Sequence, residues 1–292
     1  MISVVIPTFK NKSQLIDNLH QNLALMTQCE VVIVNDDPSS SLKEDLPKGD
    51  IVLVENKTNL GFAGAIDVGI KHTNNRYVIL LNSDVLLHDT SYLSALSKIR
   101  DDETLFAISF AQREQNNMTV GKNTIYWRDG FFHHKKAGDL NAGINGWAEG
   151  GACIIDKKKY EEIGGFDKLF SPFYWEDVDL SYRAWKKGFK ILFDPNIIVD
   201  HHHESTIKKF FSVSTIKKIA YRNQFIFIWK NIDDTMLLLS HLAYIASKLP
   251  IMIFRDHAFI WGLLSAIWRI PAIVKRKTKY QLSDKQILTK FI

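Results

Sequence analysis

At 292 residues, 46% hydrophobic and 24% charged, the chain has the composition of an ordinary folded protein rather than a disordered one, and can bury one large core or one domain with an appendage. Its two cysteines, Cys29 and Cys153, lie far apart in apolar surroundings and are expected to be reduced residues of a cytosolic protein. The net charge of +5 divides unevenly: residues 207–292 carry +11 and residues 1–206 carry −6, so a basic tail on an acidic body calls for an anionic partner, nucleic acid or an anionic membrane surface.

The chain opens at once on an apolar strand, Val4 to Pro7, with no basic and apolar leader before it, so no signal peptide is expected. Ser13 to Met26 follows as a helix with Ser13 at its N-cap. Val31 to Val34 is a second strand, ended by Asn35-Asp36-Asp37-Pro38, and Ile51 to Glu55 a third. Phe62 to His72 is a helix and Tyr77 to Leu81 a fourth strand. Short unbroken Val/Ile/Leu runs between helices predict an α/β fold whose central, mostly parallel sheet is covered on both faces. Such sheets bind ligands beyond the carboxyl ends of their strands, where this chain places Thr8, Asn35, Asp36, Asn82, Ser83 and Asp84.

Ser91 to Arg100 reads as a helix. Residues 111–146, rich in Asn, Gly, Lys and His, read as including a mobile loop, and His133 and His134 receive no role. Gly150 to Ile155 is a strand, Lys157 to Ile163 a short helix, and Ile191 to Phe193 a strand before Pro195. Beyond residue 207 the apolar stretches Phe225 to Trp229, Met236 to Phe254 and Ala258 to Val274 are studded with Trp, Phe and Lys/Arg. None is a clean membrane span of about 20 apolar residues: His241, Lys248 and Pro250 interrupt one, Arg269 and Pro271 another. Helices lying in a membrane interface are expected, with a helical subdomain or homodimer contact as the alternative. The tail is as apolar as it is basic, which speaks against nucleic acid.

The densest chemical signal is Phe173-Tyr174-Trp175-Glu176-Asp177-Val178-Asp179, three carboxylates within four residues after a run of aromatics. It suits a helix start or a reactive site, since crowded acids repel unless a cation, metal or proton relieves them. On a helix from Glu176 to Lys187, Asp179 pairs with Arg183 at i,i+4, whereas Asp177 lies about 200° around the helix and shares its face with Leu180, Ser181 and Ala184. Asp177 is therefore the acid without a local cation and the better candidate for a general base. Phe173 is expected in the core.

In this order the motifs resemble glycosyltransferase family 2, the inverting nucleotide-sugar transferases of GT-A fold: Val4-Val5-Ile6-Pro7-Thr8, Val34-Asn35-Asp36-Asp37, Asn59-Leu60-Gly61-Phe62-Ala63-Gly64-Ala65 with Gly69, Leu80-Leu81-Asn82-Ser83-Asp84, and Gly164-Gly165-Phe166-Asp167 with Trp175-Glu176-Asp177. The resemblance covers residues 2–206 and is greatest to rhamnosyltransferase-like enzymes of bacterial surface polysaccharide synthesis. It implies a Rossmann-like GT-A domain at 1–206, with a nucleotide-binding half at 1–90 and an acceptor half at 91–206, followed by a basic, membrane-associating helical region at 207–292. It also implies an enzyme that moves a sugar from a UDP- or dTDP-sugar to a hydroxyl of a glycan acceptor, lipid-linked through polyprenyl diphosphate, in O-antigen, capsule or cell-wall synthesis. Such a protein is expected in the cytoplasm, peripheral on the inner face of the membrane.

Residue by residue, the resemblance assigns Asp177 as catalytic base and Thr8, Asp36, Asn59, Gly61, Asn82 and Ser83 to the nucleotide, with Asp36 reading the base edge. Asp84 and His201 would hold a divalent cation, Mg²⁺ or Mn²⁺, while Trp147, Glu149, Tyr174, Trp175 and Glu176 would face the acceptor. The chain departs from the family where Asn82 replaces the first acid of Asp-x-Asp, and where Asp67 stands near Gly69 in place of the usual Asn. The run His201-His202-His203 leaves the register of the family's histidine open. Two other identities compete: a non-catalytic glycan- or partner-binding subunit, and a sugar-nucleotide pyrophosphorylase. The latter needs a glycine-rich phosphate loop that Ile6-Pro7-Thr8-Phe9-Lys10-Asn11 lacks.

Overall fold

A computed structural model describes residues 1–115, 118–201, 210–276 and 280–292. His202 and His203 lie outside the described residues. In chain order the elements are β1 (Ile2–Thr8), α1 (Lys12–Leu25), β2 (Cys29–Asn35), β3 (Ile51–Glu55), α2 (Gly61–Lys71), β4 (Tyr77–Leu81), β5 (Val85–Leu87) and α3 (Tyr92–Asp101). There follow β6 (Leu105–Glu114), β7 (Thr119–Val120), β8 (Asn123–Arg128), β9 (Phe131–Lys136), β10 (Gly143–Ile144), β11 (Ala152–Asp156), α4 (Lys157–Glu162), α5 (Glu176–Lys186) and β12 (Lys190–His201). The C-terminal helices are α6 (Val213–Asn231), α7 (Thr235–Arg255), α8 (His257–Ile267), α9 (Ile270–Val274) and α10 (Asp284–Leu288).

The main sheet runs β10-β12-β6-β11-β4-β1-β2-β3, with β5 beside β12 and β7 beside β6. β1 pairs in parallel with β2 and β4, β2 with β3, and β12 with β6, whereas β11 is antiparallel to both β4 and β6. This is the mixed, mostly parallel α/β sheet expected. The strands read as continuous Val/Ile/Leu runs because both faces are covered: alternate β1 residues enter two cores, Val5 on one side and Ile2, Val4 and Ile6 on the other. The sheet's direction brings the carboxyl ends of β1, β2, β4, β6 and β12 and the amino end of β11 to one edge.

The described residues of 111–146 hold more regular structure than expected. They hold the end of β6, β7, β10 and a separate two-stranded sheet, β8–β9, with His133 and His134 on β9. Asp129 (φ 50°) and Gly130 (φ 70°) make its turn; two positive φ values are the type I′ geometry for which Asp-Gly is suited.

The C-terminal helices also differ from a purely interfacial tail. α6 is a core helix: Phe225, Ile226, Phe227 and Ile228, with Ile232 just beyond its end, are fully buried and share one apolar core with Val5, Val32 and Leu80 of the sheet. α7 is not interrupted at Pro250; it runs unbroken for 21 residues and is, among the described residues, the one helix long and apolar enough to cross a membrane. His241 faces inward, its Nδ1 on the Gly130 carbonyl at 2.7 Å and its Nε2 accepting from the Trp229 indole at 3.1 Å. It pins α7 to the β8–β9 turn instead of breaking it. The opposite faces of α7, α8 and α9 are bare: Phe254 and Trp268, the latter just after α8, are each 84% exposed, and Met236, Leu242, Trp261 and Val274 are exposed as well.

Candidate functional site

The base candidate sits where α5 begins. Tyr174 (φ 68°) and Trp175 (φ 76°) both take the left-handed conformation, unusual for bulky residues, and swing the chain into the helix. Three carbonyls of this turn, those of Phe170, Phe173 and Tyr174, accept from the single Asn223 side-chain amide of α6, and Ser171 O accepts from Arg222. The strained turn is thus held by a helix distant in sequence.

Within α5 the three acids separate as helix geometry predicts. Asp179 is fully buried and bonds Arg183 Nε at 2.8 Å, and it also takes Lys230 Nζ at 2.8 Å and the Asn231 amide at 2.8 Å from α6. Burial alone would raise its pKa; Arg183, Lys230 and Asn231 outweigh burial and hold it below the usual carboxylate range. Lys230 also pairs with Asp167 at 2.7 Å, tying the Gly164-Gly165-Phe166-Asp167 segment to the same cluster. Lys186, at the other end of α5, is fully buried on Asp284 of α10 at 2.7 Å. Two buried ion-pair clusters therefore weld this helix to the C-terminal region.

Asp177 faces the other way. It is half-buried, accepts from Gly150 N at 3.3 Å, and shares its helix face with Ser181, whose Oγ accepts from Ala148 N at 3.1 Å. No salt bridge to it is found among the described residues. Burial pushes its pKa up to about 6, with the Glu149 charge adding to the effect and its own helix N–H and Gly150 N opposing it. Glu176 is buried with Oε2 lacking a hydrogen-bond partner, and burial followed by the Asp177 charge raises its pKa well above its ordinary value, favouring the protonated form.

The strand ends lie next to Gly150, the donor to Asp177. Gly151 is packed on Asn82: a Cβ there would come within 2.4 Å of the Asn82 amide, while Asn82 N donates to Gly151 O at 2.9 Å. Ser83 O accepts from Asn18 at 2.9 Å. Asp84 stands beyond β4 with Oδ1 at 3.3 Å from His201 Nε2, the last residue of β12. The resemblance had assigned these two residues to one cation, and the β5–β12 register brings them together by setting Val85 against His201. Two ligands make no complete cage, and no group of three His, Cys, Asp or Glu that could hold a metal is found among the described residues. The pair does fit a hard cation such as Mg²⁺ or Mn²⁺ that takes its other ligands from a diphosphate and water.

At the ends of β1 and β2, Thr8 is buried with Oγ1 lacking a partner, and Thr8 O accepts from Asp36 N at 2.8 Å. The Asp36 carboxylate is fully engaged, taking Asn56 Nδ2 at 2.8 Å, Leu60 N at 2.9 Å and Gly61 N at 2.9 Å; it anchors the start of α2. Burial still pushes its pKa upward against those donors. Asn59 is exposed, its Oδ1 accepting from Gly61 N at 2.9 Å, and Gly61 takes the positive φ (72°) that this turn requires. Asp67 receives the Tyr160 hydroxyl, whose oxygen in turn accepts from Phe166 N at 3.2 Å, so the acid near Gly69 serves to fasten the Gly-Gly-Phe-Asp segment.

The aromatic acceptor candidates divide. Tyr174 is 36% exposed. Trp147 and Trp175 are mostly buried, each with its ring against the His134 imidazole, at 4.9 and 4.8 Å between centroids, and Trp175 also meets Phe132 and Phe227. Phe173 is buried, as expected. Glu149 has both oxygens engaged, one by Asn123 Nδ2 at 3.0 Å and the other by Gln112 Nε2. Sequence reasoning missed Gln112, Asn123, Asn223 and Lys230; the available signal was a polar residue inside an apolar run, as in Leu105 to Ala111 followed by Gln112.

The chain is similar to several known proteins. The chain is 24% identical over 201 residues to poly-beta-1,6-N-acetyl-D-glucosamine synthase of Staphylococcus aureus, an alignment covering 66% of this chain and 48% of that one, so the chain spans about half the length of that relative. It is 23% identical over 235 residues to the low-salt glycan biosynthesis hexosyltransferase Agl10 of Haloferax volcanii, covering 77% of this chain and 74% of that one. Among solved structures it superposes on GalNAc-T7 with UDP, GalNAc and Mn²⁺ with a TM-score of 0.64 at 16% identity, over 93% of this chain and 57% of that one, a likeness of fold. The sequence model of glycosyl transferase family 2 matches residues 3–164, more than half of the chain, and this protein belongs to that family.

Proposed function

We propose that the protein is an inverting glycosyltransferase that moves a sugar from a UDP- or dTDP-sugar to a hydroxyl of a lipid-linked glycan acceptor. Asp177 carries the proposal. Like Glu176 it has no cation in contact among the described residues; it alone of the two accepts from Gly150 N, beside the Gly151 that packs on Asn82, and its pKa of about 6 suits a base working near neutral pH. Asp177 Oδ would take the acceptor hydroxyl proton as that oxygen attacks the anomeric carbon. The sugar–phosphate bond breaks on the opposite face, through an oxocarbenium-like state akin to that of glycoside cleavage. Asp84 and His201 would hold a Mg²⁺ or Mn²⁺ ion, which when bound neutralises charge developing on the departing diphosphate. Thr8, Asn59, Gly61, Asn82 and Ser83 line the nucleotide end, and Asp36 supports it by fixing the start of α2. Glu176 is buried, with burial and the Asp177 charge both favouring its protonated form, so the base role falls to half-buried Asp177; Tyr174 and the rims of Trp147 and Trp175 offer the acceptor an aromatic surface.

The bare faces of α7, α8 and α9 support a site of work at the inner face of a membrane, on polyprenyl-diphosphate-linked intermediates of O-antigen, capsule or wall polysaccharide. Phe254, Trp261 and Trp268 point outward, with Lys248, Arg255, Arg269 and Lys275 close by in sequence to meet anionic headgroups. The test is transfer from a panel of UDP- and dTDP-sugars to lipid-linked oligosaccharide with Mn²⁺. Transfer by the native protein, lost in Asp177→Asn while donor binding persists, is the expected result. Donor binding without any transfer or donor hydrolysis would favour the binding-subunit alternative.

A further inference from the structure

Between the two halves of the site runs a line of hydrogen bonds that the cation and base roles do not themselves require. Glu149 sits beside Asp177, Gln112 is 1% exposed on β6, and His201 is buried at the end of β12. Gln112 Nε2 donates to Glu149, and Gln112 Oε1 lies 2.7 Å from His201 Nδ1. A carboxylate can only accept, so the amide nitrogen of Gln112 must face Glu149 and its oxygen must face the imidazole. That oxygen can also only accept. His201 therefore carries a proton on Nδ1; in the neutral ring Nε2 is then an acceptor, turned to the acceptor Asp84 Oδ1 3.3 Å away. Such a contact is favourable when a proton or a cation lies between the two atoms. Asn123, buried and bonded to the second oxygen of Glu149 at 3.0 Å, fixes the far end of the line.

From this geometry we infer that Gln112 is a positioning residue: anchored by Glu149, it sets the His201 tautomer so that Nε2, not N–H, is offered to a divalent cation shared with Asp84. The inference rests on the cation role given to Asp84 and His201 above. A partner on the second nitrogen of a ligating histidine commonly governs metal affinity by about 10–100-fold.

The test uses the full-length protein, ¹⁵N-labelled at histidine, at about pH 8, where an ordinary imidazole is neutral. Long-range ¹H–¹⁵N spectra report the tautomer, with His201 identified by the signal lost in His201→Ala. Mn²⁺ binding in the presence of UDP is read by electron paramagnetic resonance. The Nδ1–H form is expected in the native protein, lost or mixed in Gln112→Met, with Mn²⁺ affinity lowered about 10–100-fold. The double change Gln112→Glu with Glu149→Gln keeps every hydrogen bond while moving the charge, because the new carboxylate accepts from both the imidazole and the new amide. It is expected to keep the Nδ1–H form and most of the Mn²⁺ affinity, and it decides the matter even where the single variant folds poorly. An Nε2–H native histidine, or a Gln112→Met protein with unchanged tautomer and Mn²⁺ affinity, overturns the inference. If His201→Ala leaves Mn²⁺ affinity untouched, the cation role itself falls, and the relay as a metal device falls with it. If His201→Ala weakens Mn²⁺ and Gln112→Met does not, the cation role stands and the relay alone is refuted.

Discussion

Replacing Asp177 by Asn should lower activity and raise stability at the same time, with a pH dependence that identifies the cause. The carboxyl has a pKa of about 6 in the fold against an ordinary 3.8. The folded protein therefore binds this proton more tightly than the unfolded chain does. Its favourable contribution is fully present below pH 3.8 and is lost as pH rises through 6, where burying the charge costs folding free energy. The difference of 2.2 between those two pKa values corresponds to about 3 kcal/mol at 1.36 kcal/mol each. Asp177 is only half-buried, so solvent screening reduces this to about 1–2 kcal/mol. Asn carries no charge at any pH, so the variant should be more stable than the native protein at pH 8 by roughly that amount, or about 2–4 °C in melting temperature. The advantage should vanish near pH 4. Removal of a positioned base should meanwhile cost about 10²–10⁴-fold in turnover, and the native pH–rate profile should fall below pH 6. Thermal unfolding of both proteins at pH 4, 6 and 8, beside initial transfer rates, makes the check. A variant equally destabilised at every pH would refute the argument, because the carboxylate would then be a structural partner rather than a base kept ready by burial.

Lys230→Met should destabilise the fold by about 3–5 kcal/mol, since it strips Asp179 and Asp167 of a buried partner; Arg183 and Asn231 remain, which places the expectation at the lower end, read by urea unfolding. Phe227→Ala removes a fully buried ring from contact with Phe132, Trp175 and Tyr182 and should cost about 3–5 kcal/mol, whereas a merely appended tail would leave the melting temperature unchanged. Phe254→Glu with Trp268→Glu should abolish co-sedimentation with anionic liposomes at an unaltered melting temperature, because both side chains are 84% exposed; retained binding would count against membrane seating on this face. Deletion of 207–292 is not an equivalent experiment, because it also removes Lys230, Asn223 and the buried face of α6. Gly130→Ala forces a Cβ to within 2.8 Å of Ser240 O at a positive φ and should cost about 1–3 kcal/mol by lifting α7 from the β8–β9 turn.

The Val/Ile/Leu strands and the intervening helices of residues 1–90 were legible in the sequence because hydrophobic periodicity is a local property, and strand-end residues fall at one sheet edge by the rule of parallel topology. The division between Asp179 and Asp177 was equally local, a matter of 100° per residue around one helix. The β8–β9 hairpin carried a local sign too, Asp129-Gly130, obscured by the polar composition around it. What no local pattern held were the contacts made over long distances in sequence: Asn223 on the turn before Asp177, Lys230 and Asp284 on α5, His201 on Asp84, and Gln112 between Glu149 and His201. The apolar stretches of the tail showed the same limit. Phe225 to Ile228 and Met236 to Phe254 look alike as strings of large apolar residues, and only packing sends the first into the core and leaves most of the second bare. Periodicity states which side of an element is apolar; which neighbour covers that side, and which charge is left to meet a substrate, is decided when distant segments close on one another.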